Sequence, residues 1–218
     1  MNSMMAGHPA PTDPRSTPDG IDEAAIARYL AQATPVDTLA TSGYLAGHDG
    51  HLIAQHLRRP QLNQALEHSV CHAVAPDPDS FYQGDEEPDD DWRRRRAATI
   101  RDHCAACPVR AVCAELALRA NDPYGVRGGL TQQKLARRLS AEHQRLAAAR
   151  TEDTRVARDQ AERIKAAAAV QDIAQQYIGS SVPADKRATN KAATLAAVQR
   201  RDILRRAHRA EAGWTEAA

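Results

Sequence analysis

The chain has 218 residues and a net charge of +1, and its single Phe, two Trp and five Tyr make aromatic side chains only 4% of the total. Aromatics supply the largest single burials in a core, so this composition excludes one large core spanning the whole length and favours a small packed unit with extensions. No stretch approaches the ~20 apolar residues that cross a bilayer, which excludes a membrane-spanning helix, and no membrane partner is expected.

Residues 1–20 are rich in Pro, Ser, Thr and Asp and lack a basic n-region or an apolar h-region. They read as a disordered tail rather than a signal peptide, which points to a cytoplasmic chain whose thiols stay reduced. Residues 21–68 read as a helical N-terminal extension. Ile21 to Ala33 forms a short amphipathic helix, and Gly43, Gly47 and Gly50 break the next stretch. Leu52, Ile53, Leu57, Leu62 and Leu66 then follow a helical period interrupted around Pro60.

The cysteine region opens at Cys71, followed by Pro76, Pro78 and the rare aromatic pair Phe81-Tyr82. An acidic run from Asp85 to Asp91 precedes the basic run Arg93 to Arg96. Acid before base along a helix complements the macrodipole and allows pairing within one turn; the alternative is an arginine patch for phosphate. From Pro108, which suits a first helical position, Val109, Val112, Cys113, Leu116, Ala117 and Ala120 share one helix face. Asn121-Asp122-Pro123 stops that helix, and the turn Gly125-Val126-Arg127-Gly128-Gly129 follows. Thr131 caps a further helix through Leu135 and Leu139 into the Ala-rich stretch. Gly179, Ser180, Ser181 and Pro183 break it before a last basic helix from about Asp185 to Ala210. No strand pattern and no internal repeat appears. The expected fold is all-α: a small helical domain at 69–140, with an Ala/Arg-rich basic extension at 141–218.

Charge divides along the same line. Residues 1–131 carry 12 Lys and Arg against 18 Asp and Glu, whereas residues 132–218 carry 17 against 10. The basic tail suits a polyanion such as DNA, or else is a solvated helix.

Cys104-x2-Cys107-x5-Cys113 sets three thiols within ten residues, with Cys71 far upstream. In a reducing compartment such a set serves as metal ligands or redox groups rather than as a disulfide framework. A four-cysteine zinc site pairs two CxxC knuckles, and only one is present; a cubane iron–sulfur cluster accepts three clustered cysteines and one distant one. A redox dithiol of the thioredoxin type sits in a βαβ pattern, absent here. Iron–sulfur is the leading reading, with zinc and the dithiol behind it. His48, His51 and His56 lack a carboxylate or cysteine partner and read as surface residues; His68, His72 and His103 lie near the cysteines as possible second donors. No hydrolytic or phosphate-binding constellation stands out, so neither a small-molecule substrate nor an enzymatic activity is expected, apart from the minor alternative of an apo-form disulfide reductase.

The four cysteines, Cys107-Pro108-Val109, the Phe81-Tyr82 pair, the Gly125 to Gly129 turn and the basic Lys134, Arg137 and Arg138 together resemble the WhiB-like family of actinobacteria and their phages. The resemblance covers about residues 69–140. It implies a [4Fe–4S] cluster held by Cys71, Cys104, Cys107 and Cys113, and regulation of transcription in response to oxygen or nitric oxide. It further implies docking on the C-terminal domain of the principal sigma factor through Phe81, Tyr82, Gly125, Val126, Arg127, Gly128 and Gly129. DNA contact would fall to Arg200, Arg201, Arg205, Arg206 and Arg209. Two departures stand out. Arg127 occupies the place where the family's turn carries Trp, which exchanges buried apolar area for charge and weighs against sigma docking in the usual geometry. The gap from Cys71 to Cys104 is also long, which costs a cluster little because closure entropy grows slowly with loop length.

Overall fold

The computed structural model describes residues 22–176, 179 and 181–211. The expected disordered tail therefore lies outside the described residues. Within them every regular element is helical. The chain divides into two compact units, residues 1–139 and 140–218.

In the first unit, α1 (Glu23–Ala33), α2 (Val36–Thr41), α3 (His48–His56) and α4 (Arg59–Leu66) precede the cysteines. Then come α5 (Val70–Val74), a short 3-10 turn (Pro78–Phe81) and α6 (Asp89–Thr99), which runs into a π turn (Ile100–Cys104). The unit closes with α7 (Arg110–Arg119) and α8 (Gln132–Ala141). Local chemistry sets several of these ends. Asp22 caps α1 by accepting from the Ala25 N–H at 3.1 Å, and Ser69 caps α5 from the His72 N–H at 3.1 Å. Pro60 falls in the first turn of α4, where a missing N–H costs nothing, so it starts a helix rather than interrupting one.

The helices expected as an extension are part of the main core. Leu39, Leu45, Leu57 and Leu62 are buried together with Val109 and Val112, and Ala27, Ala31, Ala54 and Ala65 fill the closest approaches. Helices α3 and α4 pack on α7, with α1 against α3 and α2 against α4. Small residues let helix axes approach closely, so a core with few aromatics still closes. α7 is consequently buried nearly all round rather than on one face. Ala111, Ala114, Glu115, Leu118 and Arg119 are buried as well as Val112 and Ala117. Glu115 and Arg119 form an ion pair at 2.8 Å, with side chains 2% and 3% exposed, and Arg119 also donates to the Gln55 carbonyl at 3.0 Å.

A smaller cluster of Trp92, Cys104 and Val126, with Phe81 and Ile100 beside it, holds α6 to the glycine turn. Arg95 fastens the acidic loop to α6. It donates to Glu87 at 2.8 and 2.5 Å and to the carbonyls of Asp79 and Tyr82 at 2.8 Å each, and it lies 4.8 Å over the Trp92 ring. Arg93 pairs with Asp90 at 2.6 Å and Arg94 with Asp91. These pairings within one turn match the macrodipole reading of the acid-then-base run.

The second unit contains α9 (His143–Ala174) and α10 (Ala184–Glu211). The expected continuous helix from Thr131 is broken at Glu142, whose ψ of 15° leaves the helical range. Asn190 donates to the Gln176 carbonyl at 2.7 Å and Arg200 pairs with Glu162 at 3.2 Å, so the two helices run antiparallel.

Candidate functional site

Each cysteine is delivered by a different local device. Cys71 lies on α5, which ends where Ala75 takes a left-handed conformation (φ 44°). Cys104 ends the π turn, whose register appears in the Ala105 N–H to Ile100 carbonyl bond at 2.9 Å. Such single π turns are frequent at functional sites because they rotate the next side chain off the helical track. Cys107 follows through a tight turn closed by its own N–H to the Cys104 carbonyl at 3.2 Å. Cys113 sits in the first turns of α7.

All four thiols line one cavity of about 580 Å³, with Phe81, Tyr82, His103, Arg110 and Arg127 among its other walls. Cys113, Leu116, Ala117 and Ala120, expected on one apolar face, are the cavity side of α7. Among the described residues no three His, Cys, Asp or Glu side chains are gathered closely enough to hold a single metal ion.

The glycine turn shapes the wall beside them. Gly125, Gly128 and Gly129 have φ of 69°, 56° and 75°, and the turn is pinned by Val126 N–H to the Phe81 carbonyl at 3.0 Å and by reciprocal Arg127–Leu130 bonds at 3.1 and 2.9 Å. A Cβ on Gly128 would run into the Arg110 carbonyl oxygen and the Ala114 nitrogen of α7. This contact brings the Gly128 N–H onto Cys113, while the Gly129 N–H reaches Cys104.

Burial dominates the thiols' electrostatics. It pushes Cys113 up to about 11, against the opposing pull of the Gly128 N–H and the Arg127 guanidinium. Burial also raises Cys104, opposed by the Gly129 N–H, and raises Cys71 together with the neighbouring Cys107. Desolvation disfavours a bare thiolate; donors and cations at the same sulfurs are what a negatively charged thiolate set would require.

The site also contains groups that the sequence reading undervalued. His103 Nδ1 is buried and has no hydrogen-bond partner, and its ring lies 5.8 Å from Phe81. A buried polar atom without a partner calls for an explanation, and a group bound in the cavity would supply one. Thiols from four positions, backbone N–H groups at two sulfurs and this orphan nitrogen together fit an iron–sulfur cluster.

Of the expected partner surface, Gly125, Val126 and Gly128 are buried. Val126, at 1% exposure, supports that surface from behind rather than facing a partner. Tyr82 and Tyr124 face outward, Tyr124 being 62% exposed, while Arg127 is half-buried; an aromatic after Pro123 and beside the turn was the signal for Tyr124. Of the basic residues in α10, Arg200 pairs with Glu162 and Arg201 with Asp202 at 2.8 Å, while Arg205, Arg206 and Arg209 are exposed. His68 bonds Asp37 at 2.9 Å, away from the cavity, and His51 meets Arg138 at 3.2 Å.

An all-helical unit with four thiols lining one cavity defines a small cysteine-centred helical domain. Residues 66–138 match the family model for transcription factor WhiB, so this stretch is a WhiB-family domain. The transcriptional regulator WhiD of Streptomyces coelicolor (strain ATCC BAA-471 / A3(2) / M145) is 42% identical over 57 residues, which are 26% of this chain and 51% of that protein. The chain thus spans about half the length of the curated relative it matches. No solved structure matches it.

Proposed function

We propose that the chain is an iron–sulfur transcriptional regulator in which Cys71, Cys104, Cys107 and Cys113 hold a [4Fe–4S] cluster. The observation that carries this reading is the single cavity onto which all four thiols open, with Gly128 and Gly129 aiming N–H groups at two of the sulfurs. A bound cluster supplies one-electron chemistry and sensitivity to oxygen and nitric oxide. The protein supplies the rest. α5, the π turn, the CxxC turn and α7 would each be fixed to the others by the group they share, and Val126 and Phe81 pack together beside Cys104. Losing that shared anchor frees α5 and the glycine turn, which alters the outward face formed by Tyr82, Tyr124 and Arg127, a switch with a physical cause. The apo-form disulfide reductase is disfavoured, because a reductase needs a lowered thiol pKa and burial raises those of Cys71, Cys104 and Cys113.

The partners in this reading are the sigma factor's C-terminal domain at the Tyr82–Arg127 face and DNA phosphates at α10. Arg127→Trp should strengthen sigma binding in a titration, since it restores apolar area to a face that otherwise offers charge; unchanged or weaker binding would remove sigma from the reading. The cluster itself is tested by anaerobic purification with a visible spectrum and iron, sulfide and zinc analysis. A brown protein absorbing near ~410 nm with about four irons per chain supports it. A colourless protein with one zinc overturns it.

A further inference from the structure

Arg127 is the residue of the glycine turn whose side chain is built into the cavity wall instead of reaching free into solvent. Its guanidinium donates to the Tyr82 hydroxyl, lies 5.0 Å over the Tyr82 ring and stands 3.5 Å from the Asp122 carboxylate. It also donates to the Val126 carbonyl at 3.4 Å. With 26% of the side chain exposed, it is held in place by these contacts and lines the volume onto which the four thiols open. A long, rotamer-rich side chain does not hold one position at a surface unless several contacts fix it.

We propose that Arg127 is the fixed counter-charge of the cluster and sets its reduction potential, with Asp122 as the opposing adjuster. The inference rests on the cluster reading above. A cluster held by four thiolates is negatively charged and becomes more so when it accepts one electron from an added reductant such as dithionite; no bond forms or breaks in that step. A fixed cation at the cavity wall favours the more negative form and raises the potential, because interaction energies in a partly buried site are screened far less than in water. Arg127 lines the cavity together with Cys71, on α5, and Cys113, on α7. Arg110 supplies the same sign at Cys104, but it is tied to the Ala46 carbonyl between α2 and α3 and so belongs to the core as much as to the site. Arg127 can be exchanged without disturbing that core.

The test is an anaerobic dithionite titration of the full chain, with the reduced fraction read from the visible spectrum and from electron paramagnetic resonance. Arg127→Gln is expected to lower the reduced-to-oxidised ratio at a fixed potential about tenfold, equivalent to ~59 mV for one electron. Arg127→Lys should restore most of that shift, and Asp122→Asn should move the potential the other way. The Arg127→Gln shift should also shrink as salt is added, since a partly exposed charge is screened. A brown, iron-loaded Arg127→Gln protein with the wild-type potential overturns the counter-charge. Equal shifts for Gln and Lys overturn it as well, since they would report lost packing rather than lost charge. A wild-type protein without iron would instead strike the cluster reading, so the two failures are distinguishable.

Discussion

Replacing Gly128 by Ala is the sharpest test of how the glycine turn builds the site. Its φ of 56° lies in the left-handed region, where a side chain costs roughly 1–2 kcal/mol. The added Cβ would also overlap the Arg110 carbonyl oxygen and the Ala114 nitrogen. Both belong to the backbone of a buried helix and cannot swing aside. Forcing such an overlap costs about 1–3 kcal/mol more, for a total of about 2–5 kcal/mol. Gly129 is the internal control. Its φ is 75°, but a Cβ there would meet Cys104 Cβ at 3.5 Å, an ordinary contact. Gly129→Ala should therefore lose only the backbone term, about 1–2 kcal/mol. Urea unfolding followed by far-ultraviolet circular dichroism, with both variants prepared in the same metal state as the wild type, measures the difference. Equal losses for the two variants would refute the claim that close approach to α7, rather than φ alone, fixes Gly128. Gly128→Ala should also lower iron retention, because the shifted turn withdraws its N–H from Cys113.

Arg119→Met should destabilise the first unit by about 3–5 kcal/mol by leaving Glu115 buried without its partner, and adding Glu115→Leu should recover much of that loss in the same unfolding assay. Arg95 holds the Glu87 carboxyl below its ordinary value of 4.5. The unfolded chain thus binds the proton more readily than the folded one, so this stabilisation is present above 4.5 and fades as pH falls through the lowered value. Glu87→Gln should flatten the acid limb of a plot of Tm against pH, and an unchanged limb would show that the pair contributes nothing. Replacing Arg205, Arg206 and Arg209 with Gln should reduce the salt dependence of DNA binding, with log K against log salt losing about 0.9 of slope per phosphate contact removed; an unaltered slope would place the DNA-binding face elsewhere.

The helical class, the helices at α1, α7 and α10 and the cysteine pattern were legible because each has a local signature in caps, prolines, periodicity or spacing; the short α2 and α5 were not, and Gly50, expected to break the chain, lies inside α3. What stayed hidden was long-range. The N-terminal helices read as an extension because Ala27, Ala31, Ala54 and Ala65 carry little hydrophobic weight in a periodicity count, yet Ala is the residue that lets α3 and α4 lie close against α7. Glu115 and Arg119, four residues apart, have the spacing of an ordinary surface pair on a helix. Only the helices packed around α7 make them a buried one, and the Gln55 carbonyl that completes it lies 64 residues away.

Arg127 shows the same limit in the site itself. At the level of the turn motif it is a missing Trp, a loss of apolar area for a partner. In the fold it is a cation locked between Tyr82 and Asp122 at the wall of a cavity lined by thiols. The two descriptions lead to separate expectations for Arg127→Trp. On the outer face the exchange adds a hydrophobic anchor and strengthens docking. On the inner face it removes a positive charge and lowers the potential of a bound cluster. If both hold, this position trades partner affinity against redox poise, and the variant that binds sigma more tightly should also be the harder one to reduce.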